Sequence, residues 1–209
     1  MLLSLLVTSI LARYLGTNNY GLISYGLAYI TLFINLSSLG LDSILVYEII
    51  KNKTQTGAMI GTAVFMRIIS SIFSVGIIYV IVALFNPDNF LLITITFIQS
   101  ISIIFNSFDL LKYWFQSNLN SKYVVISKTI AFTLVSLWRI ILILQEADVQ
   151  FFAFATVIES LAISIVLLLS YFKNKGPKLI LEFKLIYTLI KKSYLFIIAG
   201  LLVAVYTQI

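Results

Sequence analysis

The chain has 209 residues and a formal net charge of +6; 61% of its residues are hydrophobic, only 11% are charged, and its mean hydropathy is +1.07. A soluble domain carries about 25% charged residues, so this composition excludes a water-soluble fold and predicts an all-α integral membrane protein. Cysteine and histidine are both absent, which excludes disulfides, thiol nucleophiles and the usual zinc and histidine acid–base chemistry.

Apolar stretches separated by short polar breaks predict a bundle of six membrane-spanning helices and the start of a seventh. A helix needs about 20 residues to cross the hydrocarbon core. Polar clusters predict tight links at residues 16–19, 86–89 and 145–148. The predicted spans are residues 2–15, which is short, 20–45, 57–85, 90–108, 124–144, 150–172, and a seventh beginning near residue 193.

Glycines open the third predicted span. Gly57 and Gly61 are four residues apart and therefore lie on one face of a helix. Such small-residue pairs let two backbones approach closely in a membrane. We expect this pair to pack against another helix.

Lysine residues predict the orientation of the chain. The links after spans two, four and six are rich in lysine, whereas the opposite links carry only Arg13 against Asp88, Glu146 and Asp148. Positive residues stay on the cytoplasmic side, so the N-terminus is expected in the cytoplasm. Because these links account for the positive charge, no nucleic-acid partner is expected. The lysines concerned are Lys51, Lys53, Lys112, Lys122, Lys173, Lys175, Lys178, Lys184, Lys191 and Lys192.

The segment 176–192 differs from the other links because apolar and basic residues alternate along it. It predicts an amphipathic helix on the cytoplasmic membrane surface, and an ordinary loop is the alternative. The chain then divides into a six-helix bundle at 1–175, this linker helix, and a shortened seventh helix at 193–209. Both ends of the chain are expected to be cut, because the first span is short and the last ends inside an apolar run.

The sequence LARYLGTNNYGL at residues 11–22 resembles a known signature. It is similar to the first-loop pattern, A-R-x-L-G-P-x-x-Y-G, of polysaccharide biosynthesis flippases. These are the Wzx-type O-antigen and capsule transporters of the multidrug/oligosaccharidyl-lipid/polysaccharide exporter superfamily. Thr17 stands where that family usually has proline. The residues shared with the pattern are Arg13, Gly16, Tyr20 and Gly21.

Three later stretches resemble the same family in the same order: LGLDS at 39–43, which contains Gly40, FDLLKYWFQ at 108–116, and the end of the chain from Gly200. The resemblance therefore covers the whole chain. It implies the N-terminal bundle of a two-bundle exporter, whose partner is a missing C-terminal bundle.

The resemblance also implies a function. The expected activity is to flip undecaprenyl-pyrophosphate-linked oligosaccharide across the bacterial plasma membrane by alternating access, with no cofactor and no metal. The alternatives are a related exporter of a cell-wall lipid precursor or a drug, and a non-transporting membrane protein. A membrane enzyme is not expected, because histidine, paired carboxylates near one interface and a large outer loop are missing.

Three charged residues fall inside predicted spans: Arg67, Arg139 and Glu159. A charge at the bilayer centre costs about 2.5–3.5 kcal/mol on insertion scales, so each is a functional candidate. The two arginines are expected to line a cavity for an anionic substrate, since guanidinium binds phosphate with two donors. Their alternative is a structural pair or a side chain that reaches to the interface. Glu159 either pairs with one of these arginines or is a proton or sodium site.

Four further charges lie near the predicted cytoplasmic ends of helices. Asp42 and Glu48 are expected to pair with lysines of the link that follows them, or simply to be hydrated. Asp109 and Lys112 are three residues apart, so they face each other if that stretch is helical. Asp42, Asp109 and Lys112 are candidates for a cytoplasmic gate, and a surface pair is the alternative.

Overall fold

The structure, a computed structural model, describes residues 2–208, with side chains for residues 7–42, 44–200 and 202. The only regular secondary structure in this described part of the chain is helical, with nine α-helices and no strand. Two short 3-10 segments, Lys53–Gln55 and Asn106–Leu110, join helices end to end. The helices are α1 Leu2–Ser37, α2 Leu41–Lys51, α3 Thr56–Phe85, α4 Phe90–Ser100, α5 Ser102–Phe105, α6 Leu111–Ser117, α7 Lys122–Leu144, α8 Val149–Lys173 and α9 Phe183–Gln208.

Five segments of the described chain are long and apolar enough to cross a membrane. This finding confirms the all-α membrane fold. Seven long helical segments result if the two arms of α1 are counted separately, α4 to α6 are counted together, and α9 is included. The five membrane-compatible segments are Val7–Ser37, Lys53–Phe85, Phe90–Ser117, Lys122–Leu144 and Val149–Lys173.

Two breaks shape the first third of the chain. Gly16 has φ 71° and ψ 173°, and helical backbone resumes at Thr17, so the predicted link at 16–19 narrows to one residue. The predicted second span, 20–45, is wrong at its end, because α1 stops at Ser37. Leu39 and Gly40 both have positive φ, at 53° and 64°. Right-handed helix cannot continue through two such residues, so α2 starts in a new direction.

The predicted fourth span, 90–108, is also too short. The helical path runs on through α5, the second 3-10 segment and α6 to Ser117. Leu110, Leu111 and Phe115 are completely buried, in one apolar cluster with residues of α2 and α8. The polar residues of this stretch suggested a loop, whereas its apolar residues hold it in the bundle.

The predicted amphipathic helix over 176–192 is wrong in its first part. Residues 177–182 are extended, and we call them the strap. The Ile180 N–H donates to the Gly57 carbonyl at 3.3 Å, and the Glu182 N–H donates to Thr62 Oγ1 at 3.0 Å. The Tyr171 hydroxyl donates to the Pro177 carbonyl at 2.5 Å. These bonds place the strap along the first two turns of α3.

The glycine pair of α3 therefore receives the strap rather than another helix. A Cβ on Gly57 would collide with the Lys178 carbonyl oxygen, and a Cβ on Gly61 would lie 2.5 Å from the Ile180 carbonyl oxygen. Backbone meets backbone at both positions, so no side chain can move aside. The expectation of close packing was sound, but the expected partner was wrong.

Helix α9 follows the strap and continues without a break past residue 193, where a separate helix was expected to begin. It packs against the turn at Gly40, where a Cβ would lie 2.8 Å from the Ser193 carbonyl oxygen and 2.9 Å from the Ile197 nitrogen. The start of α9 is thus fixed to the same part of the bundle as the strap.

We predict that Gly61→Ala destabilises the protein by about 1–3 kcal/mol, because the new methyl group forces the strap off α3. Gly76→Ala is the matched control on the same helix, since nothing lies within 4 Å of a Cβ there. Thermal unfolding in detergent should show a lower midpoint for Gly61→Ala only. Equal midpoints for the two variants would contradict this account of the strap.

Candidate functional site

A stripe of small and polar residues is exposed along the second arm of α1. Between residues 17 and 37, Leu27 is the one large apolar side chain among the exposed residues. The other positions recur every three or four residues, which places them on one face of the helix. We call this face the polar stripe; its members are Thr17, Gly21, Ser24, Ala28, Thr31 and Asn35.

The exposed face of α3 has the opposite character. Its exposed residues include Ile69, Ile72, Phe73, Ile77 and Leu84, as expected of a surface that meets lipid tails. The polar stripe belongs to an equally long helix but lacks such side chains. Thr31 Oγ1 donates to the Leu27 carbonyl at 2.8 Å, which lets threonine tolerate an apolar environment. Asn35 keeps its amide oxygen unpaired within the described chain after donating to the Thr31 carbonyl.

A cavity of about 250 Å³ opens beside the polar stripe, between α1, α5, the second 3-10 segment and α8. Glu159 of α8 lines it together with Thr31 and Asn106. The hydroxyl groups of Thr156 and Ser160 donate to carbonyls of their own helix, which leaves their oxygens able to accept a further bond. The remaining lining residues are Leu27, Ile30, Ile34, Ser102 and Ile163. The cavity is therefore rich in acceptors and contains one carboxylate.

Glu159 has no cation within salt-bridge distance in the described part of the chain. Arg139 of α7 is its cationic neighbour, close enough to interact with it through space. Arg139 is half-buried, and its Nε is buried without a hydrogen-bond partner among the described residues. The two charges are therefore near each other but not in contact.

Arg67 is in a different place from the one predicted. It is 3% exposed and its Nη1 donates to Asp42 Oδ1 at 3.0 Å, so it joins α3 to α2. It does not line the Glu159 cavity. Tyr113 of α6 is the third member of this group, close enough to act on both charges. The structural interpretation of Arg67 fits this geometry, with Asp42 as partner in place of Glu159.

The other acidic candidates are also paired. Glu48 is 5% exposed, and Lys192 of α9 lies 2.8 Å from its Oε2, so the expected lysine of the adjacent link is not its partner. Asp109 and Lys112 do form the expected pair, on the helical path after α5. Both of these side chains are about one-fifth exposed. Asp42 is occupied by Arg67, so these residues form three separate pairs.

The motif residues occupy two regions. Arg13, Gly16 and Gly21 are exposed around the break in α1, where the Tyr14 hydroxyl donates to the Ala147 carbonyl at 3.5 Å. Gly40 is buried at the contact with α9. The first region faces the α7–α8 link, and the second fixes the start of α9.

From the sequence we did not identify the polar stripe or Asn106 as parts of a site, or Lys192 as the partner of Glu48. The spacing of 17, 21, 24, 28, 31 and 35 is a helical repeat of small or polar residues, and that signal is present in the sequence. Lys192 offered no such signal, because its contact with Glu48 depends on the direction of α9.

Comparison with known proteins gives one match. The family model described as "Polysaccharide biosynthesis protein" matches residues 1–209. No curated protein and no solved structure matches the chain.

We predict that Arg67→Ala destabilises the protein because it leaves Asp42 and Tyr113 without the cation. The free energy of unfolding should fall by less than about 3–5 kcal/mol, the cost typical of breaking a fully buried pair, since 36% of the Asp42 side chain is exposed. A double-mutant cycle with Asp42→Asn, read by unfolding in detergent, should give a favourable coupling. Lys112→Ala is the control and should cost less, because the Lys112 side chain is 21% exposed whereas that of Arg67 is 3% exposed. Additive effects at Arg67 and Asp42 would contradict the pairing.

Proposed function

The chain belongs to the polysaccharide biosynthesis protein family, and on that premise we propose that it flips undecaprenyl-pyrophosphate-linked oligosaccharide across the bacterial plasma membrane. The observation that carries this proposal is the polar stripe, which ends beside an acceptor-rich cavity in an otherwise apolar bundle. A sugar chain is covered with hydroxyl groups. It can cross only along a path that replaces the hydrogen bonds it loses on leaving water.

The proposed mechanism is alternating access. The stripe forms one wall of a central path, and the opposite wall belongs to a C-terminal bundle that is the partner of this one. Transporters built from repeated bundles bind substrate where the bundles meet. The polyprenyl tail stays in the bilayer, next to apolar surfaces such as the exposed face of α3.

The lysine residues determine the proposed orientation of the chain in the membrane. The end of the bundle with Lys51, Lys53, Lys173 and Lys175 faces the cytoplasm, and the N-terminus lies on that side. The substrate is loaded at this end. The α7–α8 link, with Glu146 and Asp148, faces outward.

The arginines take different roles in this proposal. Arg139 is the candidate for contact with the pyrophosphate, because it is half-buried and, unlike Arg67, has no carboxylate within salt-bridge distance in the described chain. Arg67 supports transport indirectly by holding α2 in position. The gate candidates Asp42, Asp109 and Lys112 would act by opening their pairs during the transition.

Glu159 is the candidate for coupling transport to a cation. A carboxylate at membrane depth stays charged only with a counter-charge or water beside it. Arg139 supplies part of that charge, and a proton or sodium ion in the cavity would supply the rest. A purely structural role through Arg139 is the competing interpretation.

We predict that Thr31→Trp abolishes export by filling the path, whereas Ile77→Trp on the exposed face of α3 has little effect. The measurement is surface polysaccharide in cells that carry the variant as their only copy. Lipid-linked repeat units should accumulate inside cells with Thr31→Trp and in cells without the gene. Normal surface polymer in the deleted strain would reject the flippase.

Labelling of introduced cysteines tests whether the polar stripe faces water, independently of export. The chain contains no cysteine, so Ser24→Cys and Thr31→Cys introduce single labelling sites, and Ile77→Cys is the lipid-facing control. A charged maleimide should label the stripe positions and leave the control unlabelled. If Ile77→Cys reacts as fast as Thr31→Cys, the stripe does not face water.

Glu159→Gln should reduce export about tenfold or more and remove its dependence on the proton or sodium gradient, because the amide cannot take up a cation. Glu159→Asp should retain the gradient dependence at a lower rate. The measurement is uptake into vesicles with an imposed gradient. A Glu159→Gln protein with reduced stability but unchanged gradient dependence would assign Glu159 to a structural role with Arg139.

A further inference from the structure

A second pocket lies at the lysine-rich end of the bundle, apart from the polar stripe. It has a volume of about 290 Å³ and sits between the end of α2, the start of α3, α6 and the strap. Neither the proposed path nor the Glu159 cavity includes any of its residues. Its lining residues are Ile49, Ile50, Lys53, Thr56, Trp114, Ser117, Asn118 and Pro177.

The polar side of this pocket carries a positive charge and hydrogen-bond donors. Lys53 is exposed, and it has no carboxylate within salt-bridge distance in the described chain. Trp114 is 9% exposed, and its carbonyl accepts bonds from Ser117 and Asn118. The indole N–H makes no hydrogen bond to any described residue. This donor is not enclosed by the protein, so it can reach an acceptor that enters the pocket.

No acidic side chain lines the pocket. The nearest acidic residue in sequence, Glu48, is neutralised by Lys192, and Asp109 is neutralised by Lys112. Lys178 of the strap adds an exposed cation beside Pro177. The local charge is therefore positive, and it favours an anionic ligand.

The other side of the pocket is apolar and continues onto an exposed surface. Ile49 and Pro177 line it, and Ile50 is 53% exposed. Tyr47 lies one turn earlier on the same face of α2 and is also exposed. Tryptophan, tyrosine and lysine together are typical of the boundary between lipid headgroups and tails. An anion with an apolar tail fits both sides.

We propose that this pocket binds the phosphate group of an anionic membrane phospholipid. Lys53 provides the charge, the indole N–H of Trp114 donates to a phosphate oxygen, and the lipid tail runs along Ile50 and Tyr47. The strap closes one side through Pro177, so the bound lipid contacts both α2 and the segment that leads into α9. The proposal does not depend on transport and would hold if the flippase proposal failed.

The test uses Trp114 as its own reporter. Trp138 is the other tryptophan of the chain, and Trp138→Phe leaves Trp114 as the only indole. The full chain is placed in vesicles that contain brominated phosphatidylglycerol or brominated phosphatidylcholine, and bromine quenching of Trp114 is measured. One lysine near a surface contributes about 1 kcal/mol toward anionic lipid, so the preference for phosphatidylglycerol should be about fivefold.

Matched variants decide whether the preference belongs to the pocket. Lys53→Gln should abolish it and Lys53→Arg should retain it. Lys184→Gln makes the same change of charge at an exposed position on α9 and should leave it intact. Equal quenching by both lipids in the parent, or an equal loss in Lys184→Gln, would overturn the proposal. Displacement by millimolar inorganic phosphate would show a free-phosphate site and overturn the assignment to a lipid.

Discussion

A charge inside an apolar bundle must have a counter-charge or water, and this requirement organises the whole chain. Arg67 meets it through Asp42, and Glu48 meets it through Lys192. Both pairs involve α2, so this short helix is held to α3 on one side and to α9 on the other. Glu159, unlike Asp42, Glu48 and Asp109, lacks such a contact in the described chain. It lies where a cavity opens, and water in a cavity is the other way to satisfy the same requirement.

Close backbone contact at three glycines adds to the stabilisation that the ion pairs provide. Gly57 and Gly61 receive the strap, and Gly40 receives α9. At each position a side chain would meet backbone atoms, which cannot rotate away. Dispersion contacts and backbone hydrogen bonds drive association inside a membrane, because apolar burial contributes little there. The glycines permit those contacts, and the pairs of Asp42 and Glu48 then form at the distances that result.

The parts of the fold that depend on local composition were predictable. The spans near α7 and α8 were placed within two residues of their observed ends, because an apolar run must be helical in lipid. The Asp109–Lys112 pair was predictable from spacing, because helix geometry alone brings residues three apart together. Partners distant in sequence were not predictable. Gly57 and Gly61 indicated a close approach without indicating the strap, and Arg67 indicated a pair without indicating Asp42.

The same contacts determine which parts of the chain can move together. Separating α9 from α2 would leave Glu48, which is 5% exposed, without its cation. The cost should stay below the about 3–5 kcal/mol typical of a fully buried pair, because 42% of the Lys192 side chain is exposed. The strap would also lose its hydrogen bonds to Gly57 and Thr62. The first turns of α9 therefore move with α2 and α3 as one unit.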